Sequence, residues 1–230
     1  MKKSVQSVAL MGLLVSSVVL ANNLSYFYGS MGAGIFTGTF DQLYAYQSPS
    51  VPNPQNITNT AYQRGYIAAL GLGYHRAARR HYFYGADVTG NFDSGKALYE
   101  SGASGPFTDK TWIAGHVDFS FVPGIALSRS VSMYVKMGLS LAMMRDRLLS
   151  YTGTSNTATN YNSDKTIVGF AGGVGISKSV TKRVDVFTEA NYHDFGNESL
   201  HAFQVQTANY AGSVKINWYD AVVGAAYHFA

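Results

Sequence analysis

Residues 131–143 read Val-Ser-Met-Tyr-Val-Lys-Met-Gly-Leu-Ser-Leu-Ala-Met, and they alternate without a break. Val131, Met133, Val135, Met137, Leu139, Leu141 and Met143 share one parity. Ser132, Tyr134, Lys136, Gly138, Ser140 and Ala142 share the other. Side chains of a strand have period two, so the segment has one wholly apolar face and one small or polar face with a lysine at its middle. In a water-soluble sheet the lysine would stand on the wet outer face. In a transmembrane barrel it points into the lumen while the methionines and leucines meet lipid. Weaker copies of the pattern recur along the chain, and they favour the barrel.

The N-terminus supports export. Lys2 and Lys3 precede an apolar run from Val8 to Leu20, and Val19 and Ala21 have the small-residue spacing of a signal-peptidase site. The expectation is a signal peptide over 1–21 and a barrel over 22–230. The run is too short for a spanning helix, which argues against an N-terminal anchor. Removing Lys2 and Lys3 leaves 15 basic residues (17 less 2) against 13 acidic ones. That near-neutral balance, with no basic stripe interleaved with aromatics, argues against a nucleic-acid partner. There are no cysteines, hence no disulfide framework and no thiolate metal site. The 24 glycines, 17 tyrosines and 13 phenylalanines suit many short alternating strands.

Eight strands are predicted, over 25–40, 62–75, 82–92, 111–127, 131–145, 166–177, 183–195 and 214–229. The outward set of the third is Tyr82, Tyr84, Ala86, Val88 and Phe92. That of the eighth is Tyr219, Ala221, Val223, Ala225, Tyr227 and Phe229. Long polar connections (41–61, 93–110, 146–165, 196–213) alternate strictly with short ones (76–81, 128–130, 178–182), the pattern of long external loops and short periplasmic turns. The fold expected is an all-β, eight-stranded antiparallel up-and-down transmembrane barrel. The short turns carry Arg76, Arg79, Arg80, Arg129, Lys178 and Lys182 and no acid. This is either ordinary solvated turn chemistry or contact with anionic lipid headgroups. The external loops, such as 152–162 and 102–105, are nearly uncharged and identify no ligand.

Two short runs carry a resemblance. Glu189 is followed by Tyr192-His193-Asp194-Phe195-Gly196, and the chain closes Gly224-Ala225-Ala226-Tyr227-His228-Phe229 before Ala230. These runs resemble the small OmpA-like outer-membrane barrels and opacity-type surface proteins. The resemblance implies a bacterial outer-membrane location. It also implies that Gly224, Tyr227 and Phe229 form the signal read by the barrel-assembly machinery. No peptidoglycan-binding domain follows, so an anchoring role is not expected.

The inward parity collects Asp87, His116, Asp118, Lys136, Asp185, Glu189, Asn191, Trp218 and Asp220. A charge in a narrow lumen must be paired, so Lys136 needs an acid, with Glu189 the first choice, Asp87 the second and Asp118 also in reach. Two readings follow: an ion network that fills the lumen, or a polar conduit for small solutes. Small inward residues would leave room, whereas Tyr134, Phe187, Trp112 and Trp218 on the same parity would close it. Candidates for a lipid-modifying enzyme are His193 and His201 with Ser199, but no Gly-x-Ser-x-Gly elbow is present. The six histidines show no His-Glu-x-x-His spacing. No catalytic residue, cofactor or metal site is therefore expected, and the sequon Asn56-Ile57-Thr58 is read as accidental. The function expected is a non-catalytic surface protein whose loops suit adhesion or host contact. A narrow porin-like channel is the alternative, and a lipid-modifying enzyme comes third. The partners expected are outer-membrane lipids, the assembly machinery and ligands on host or environmental surfaces.

Overall fold

A computed structural model describes residues 25–48, 51–79, 81–95, 99–100, 107–152, 157–200, 203–205 and 208–229. The segment 1–21, expected to be a signal peptide, Arg80 and Ala230 lie outside the described residues. Eight long strands form the molecule: β1 (Tyr26–Ser48), β2 (Val51–Arg79), β3 (Tyr82–Asp93), β4 (Phe107–Phe121), β5 (Val131–Thr152), β6 (Thr157–Ser179), β7 (Val184–Ser199) and β8 (Ala208–Phe229). A short piece, Gly124–Ala126, prolongs β4 beyond Pro123. Two more, Tyr99–Glu100 and Phe203–Val205, pair with β4 and β8 at the outer end.

Each strand pairs antiparallel with the next in the chain. The last pairs with the first, from Phe27↔Phe229 to Gln47↔Asn209, so the sheet closes into a ring. Closure is what lipid demands, because an unpaired strand edge would leave N–H and C=O groups with no water to bond. The fold is the eight-stranded up-and-down β-barrel.

The alternation read from the sequence appears as two surfaces. Met133, Val135, Met137, Leu139, Leu141 and Met143 are exposed, while Tyr134, Lys136, Ser140 and Ala142 are buried. From Met133 to Met143 the strand runs about 33 Å at ~3.3 Å per residue, which is about 25 Å of height at a tilt of ~40°. That matches the apolar band of a membrane barrel. Exposed rings border it. Phe27, Tyr74, Tyr82, Tyr84, Tyr227 and Phe229 stand at the turn end, and Tyr62, Tyr66, Phe92 and Tyr219 at the other.

The strands outrun their predicted ends. Segments 41–61 and 146–165, expected as loops, continue β1–β2 and β5–β6 to Ser48↔Val51 and Thr152↔Thr157. Above the membrane both faces are wet, so hydrophobic alternation stops. Main-chain pairing does not stop, because Thr, Asn and Tyr side chains sit well on a ladder. The period therefore marks the lipid boundary and not the strand terminus.

Two bulges reset the inward parity. β4 has one extra residue between Ile113↔Met144 and His116↔Ala142, so Ile113 and His116 both point inward. At this bulge a Cβ on Gly115 would lie 2.6 Å from the Asn91 carbonyl oxygen, so close approach requires glycine. β7 has its extra residue at Phe195, and Gly196 follows with φ +67°, a left-handed conformation that glycine adopts without strain. The β4 bulge also corrects the expectation for Trp112. It is buried but pairs with Arg145 on the outward parity, and the guanidinium carbon of exposed Arg147 is 5.4 Å from its ring centroid.

An arginine on the lipid face tests the assignment by depth. Leu139→Arg should destabilise the barrel by about 2–4 kcal/mol, and Val131→Arg, at the interface, by about 0–1 kcal/mol. Refolding titrations in phospholipid measure both, and equal losses at the two positions would contradict the placement of the band.

Candidate functional site

The candidate site is the lumen, and its side chains stack in layers from the turn end outward. The floor holds Phe83, Val122 and Tyr134 in one apolar cluster. Around it lie Tyr26, Tyr28, His75, Asp185 and His228. Tyr26 stacks on His228 with centroids 3.8 Å apart, and His228 Nε2 is 3.1 Å from Asp185 Oδ2.

Above the floor lies the lysine. Lys136 Nζ stands 3.2 Å from Asp87 Oδ2 and 3.4 Å from Glu189 Oε2. Two acids on one ammonium leave a surplus negative charge, and two phenols share it. Tyr28 Oη donates to Asp87 at 3.3 Å, and Tyr134 Oη donates to Glu189 at 2.8 Å. Asp87, on β3, is marginally the nearer acid, although Glu189 was the first choice on sequence.

Asp118 does not join this pair directly. It belongs to the next layer, with His116 and Asn91 on one side and His193 on the other. His116 Nε2 is 3.6 Å from Asp118 Oδ2, and His193 Nδ1 is 3.5 Å from Asp118 Oδ1. Asn91 Nδ2 donates to Asp118 Oδ2 at 2.8 Å. The far nitrogen of each imidazole also meets a carboxylate: His116 Nδ1 to Asp93 Oδ2 at 3.1 Å, and His193 Nε2 to Asp220 Oδ2 at 3.0 Å. Asn191 Nδ2 donates to Asp220 Oδ1 at 2.8 Å. Histidine spacing along the chain hides this layer, since His116 and His193 come from β4 and β7. The legible signal is His116-x-Asp118, because two residues apart on a strand share a face.

Beyond the carboxylates lies an apolar layer. Trp218, Phe36, Phe40, Ile113, Ile167, Phe195 and Ile216 form one buried cluster, and Trp218 is stacked on Phe36 with centroids 4.3 Å apart. Gln63 on β2 replaces a missing strand here. Its Oε1 accepts from Ile113 N at 3.0 Å and its Nε2 donates to Ile113 O at 3.1 Å.

The inward glycines do not leave the lumen open. A Cβ on Gly38 would fall 2.4 Å from the Trp218 ring, and one on Gly73 or Gly175 would fall 2.4 Å from Tyr28 or Tyr134. Each glycine is the seat of an aromatic ring, so small and large residues add up to a filled interior, as eight strands require. Among the described residues the polar layers line a partly open cavity of about 50 Å³, room for a few waters.

The remaining candidates are not brought together. Ser199 pairs with Ser213 near the outer end of β7, away from His193 in the lumen. The side chain of His201 lies outside the described residues. Gly224 pairs with Gly32, Tyr227 with Gly29 and Phe229 with Phe27, all on the seam that closes the ring.

With the geometry in place, the chain can be compared with known proteins. No protein-family model matches it. An uncharacterized protein of Coxiella burnetii (strain RSA 493 / Nine Mile phase I) is 23% identical over 220 residues, covering 89% of this chain and 84% of that protein. Among solved structures, the outer membrane protein OprG from Pseudomonas aeruginosa is similar with a TM-score of 0.56 at 11% identity, over 92% of this chain and 99% of that one. The outer membrane protease OmpT from Escherichia coli matches with a TM-score of 0.50 at 11% identity, over 93% of this chain and 99% of that one. The likeness is one of fold: this chain has the architecture of outer-membrane barrels.

The lysine layer has a measurable signature. Lys136→Met strands two buried carboxylates and should cost about 3–5 kcal/mol, whereas Glu189→Gln leaves Asp87 in place and should cost less. Adding Asp87→Asn to Lys136→Met should recover part of the loss. A double-mutant cycle in refolded barrels reads the coupling, and losses that add within ~0.5 kcal/mol would exclude a pair.

Proposed function

We propose that this chain is a non-catalytic integral protein of a bacterial outer membrane, with a sealed barrel that carries extended hairpins outward for surface contact. The observation that carries this reading is the plugged lumen: an apolar layer around Trp218 above two layers of charged and polar side chains. A conduit needs a continuous polar path, and these layers interrupt one. The long β1–β2 and β5–β6 hairpins rise beyond the apolar band and are the surface offered to a host or environmental partner. Burial supports the non-catalytic reading, since His193 is 1% exposed and held between two carboxylates.

The remaining parts fit the same reading. The segment 1–21 directs export and is removed after Ala21. The kinship is with OmpA-like and opacity-type barrels, and the assembly machinery reads Gly224, Tyr227 and Phe229. Outer-membrane lipids are the bulk partner. Exposed Arg76, Arg129 and Lys182 at the turn end meet anionic headgroups, each contact worth on the order of 1 kcal/mol.

Two experiments test this. Because the chain has no cysteine, Asn56→Cys and Lys182→Cys report sidedness cleanly. A membrane-impermeant maleimide should label Asn56→Cys on intact cells and Lys182→Cys only after permeabilisation; equal labelling would refute the orientation. The purified barrel should give no unitary steps in planar bilayers, and reproducible steps would hand the role to the channel reading. Assembly is tested separately. Removing Phe229 and Ala230 should lower the folded, heat-modifiable fraction in outer membranes, while removing Ala230 alone should not. Parental insertion of both truncations would overturn the reading of the closing strand.

A further inference from the structure

We propose that the lumen holds one divalent transition-metal ion of the zinc type, bound by His116 Nε2, His193 Nδ1 and a carboxylate oxygen of Asp118. The proposal is independent of the surface role above, because it concerns the barrel interior alone.

Three observations carry it. First, the ligand atoms converge. One atom from each of the three residues lies within 4.8 Å of the others. His116 Nε2 is 3.6 Å from Asp118 Oδ2 and His193 Nδ1 is 3.5 Å from Asp118 Oδ1, so the carboxylate spans the two imidazoles at separations near the ligand-to-ligand edge, about 3.3 Å, of an ion with bonds of about 2.0–2.1 Å. Second, these atoms lack other partners. His116 Nε2, His193 Nδ1 and Asp118 Oδ1 are buried and have no hydrogen-bond partner in the protein. The His116 and His193 side chains are 1% exposed and that of Asp118 is 9% exposed. Third, the supporting groups are those of a metal centre. Each imidazole gives its far N–H to a carboxylate, Asp93 or Asp220, which fixes the tautomer and turns the other nitrogen's lone pair toward the shared point. Asn91 and Asn191 in turn hold Asp118 and Asp220.

Charge gives the same answer. Asp93, Asp118 and Asp220 bring three carboxylates to one buried layer against two imidazoles, which bind a metal ion as neutral ligands. The nearest ammonium, Lys136, already faces two acids of its own. The layer requires about two positive charges to avoid a large cost in a dry lumen. A divalent ion supplies them and uses the three free atoms. Two imidazoles and one carboxylate suit zinc, cobalt or nickel, whereas calcium and magnesium prefer all-oxygen shells. The cavity that Asp118 lines continues past Asn91 and Asn191 to Asp185 and His228 at the turn end, which gives a polar route for the ion.

The test uses the full refolded barrel, with folding checked by heat modifiability. After chelator treatment and dialysis, Zn²⁺ alone should bind in about one equivalent by elemental analysis, and Co²⁺ should give visible ligand-field bands. In a Trp112→Phe background, Co²⁺ should quench Trp218, whose ring centroid is 6.2 Å from that of His116. His193→Gln should abolish uptake, Asp93→Asn should weaken it by about 10–100-fold through the supporting shell, and His75→Gln, on the lumen floor, should leave it unchanged. Folded wild-type barrel that takes up no ion would overturn the proposal, with both histidines then doubly protonated in nitrogen NMR. Uptake that survives in folded His193→Gln would overturn it equally.

Discussion

Everything in this barrel follows from the intolerance of lipid for an unpaired strand edge. A sheet in water can leave its border N–H and C=O groups to solvent; a sheet in hydrocarbon has to close. Here the seam between β1 and β8 is the longest run of register after β1–β2 and β5–β6, from Phe27↔Phe229 to Gln47↔Asn209. Closure with eight strands then sets the internal radius, and that radius decides what the inner face is able to carry.

The inner face has to fill the space and neutralise itself at once. It fills by pairing rings with glycines: Trp218 on Gly38, Tyr28 on Gly73, Tyr134 on Gly175. It neutralises by layering. Lys136 answers Asp87 and Glu189, phenols take up part of the remaining charge, and the imidazoles of His116 and His193 stand between carboxylates. Above the charges, the Trp218 cluster separates them from the external water. These layers give the interior the character of a core, which directs attention for surface contact to the hairpins outside the membrane.

The sequence made much of this legible, for a physical reason. A lipid-facing strand is under the strictest period-two constraint a protein meets, so the odd residues of 131–143 and the inward set from Asp87 to Asp220 could be read directly. What escaped lay where that constraint lapses or slips. Strand ends beyond the membrane lose hydrophobic alternation while pairing continues, so β1 and β5 were cut short. A single inserted residue at 113–116 reversed the parity of Trp112. The glycine-and-ring packing was invisible because it joins residues from neighbouring strands, and the His116–Asp118–His193 convergence because it joins strands three apart. Only the closed ring brings those side chains together.

The ring and its register are the claim on which the rest stands, and a cross-link measures them most directly. Ala33 and Val223 face each other across the seam and both point outward. Facing Cβ atoms about 4.5–5.5 Å apart are within small adjustment of disulfide geometry. In a chain without native cysteine, Ala33→Cys with Val223→Cys should oxidise within one molecule in the folded barrel, giving a monomer of altered mobility on denaturing gels. Ala33→Cys with Tyr219→Cys, four residues off register, should not. Cross-linking of the off-register pair as readily as the facing pair, or only between molecules, would contradict the closed eight-stranded ring.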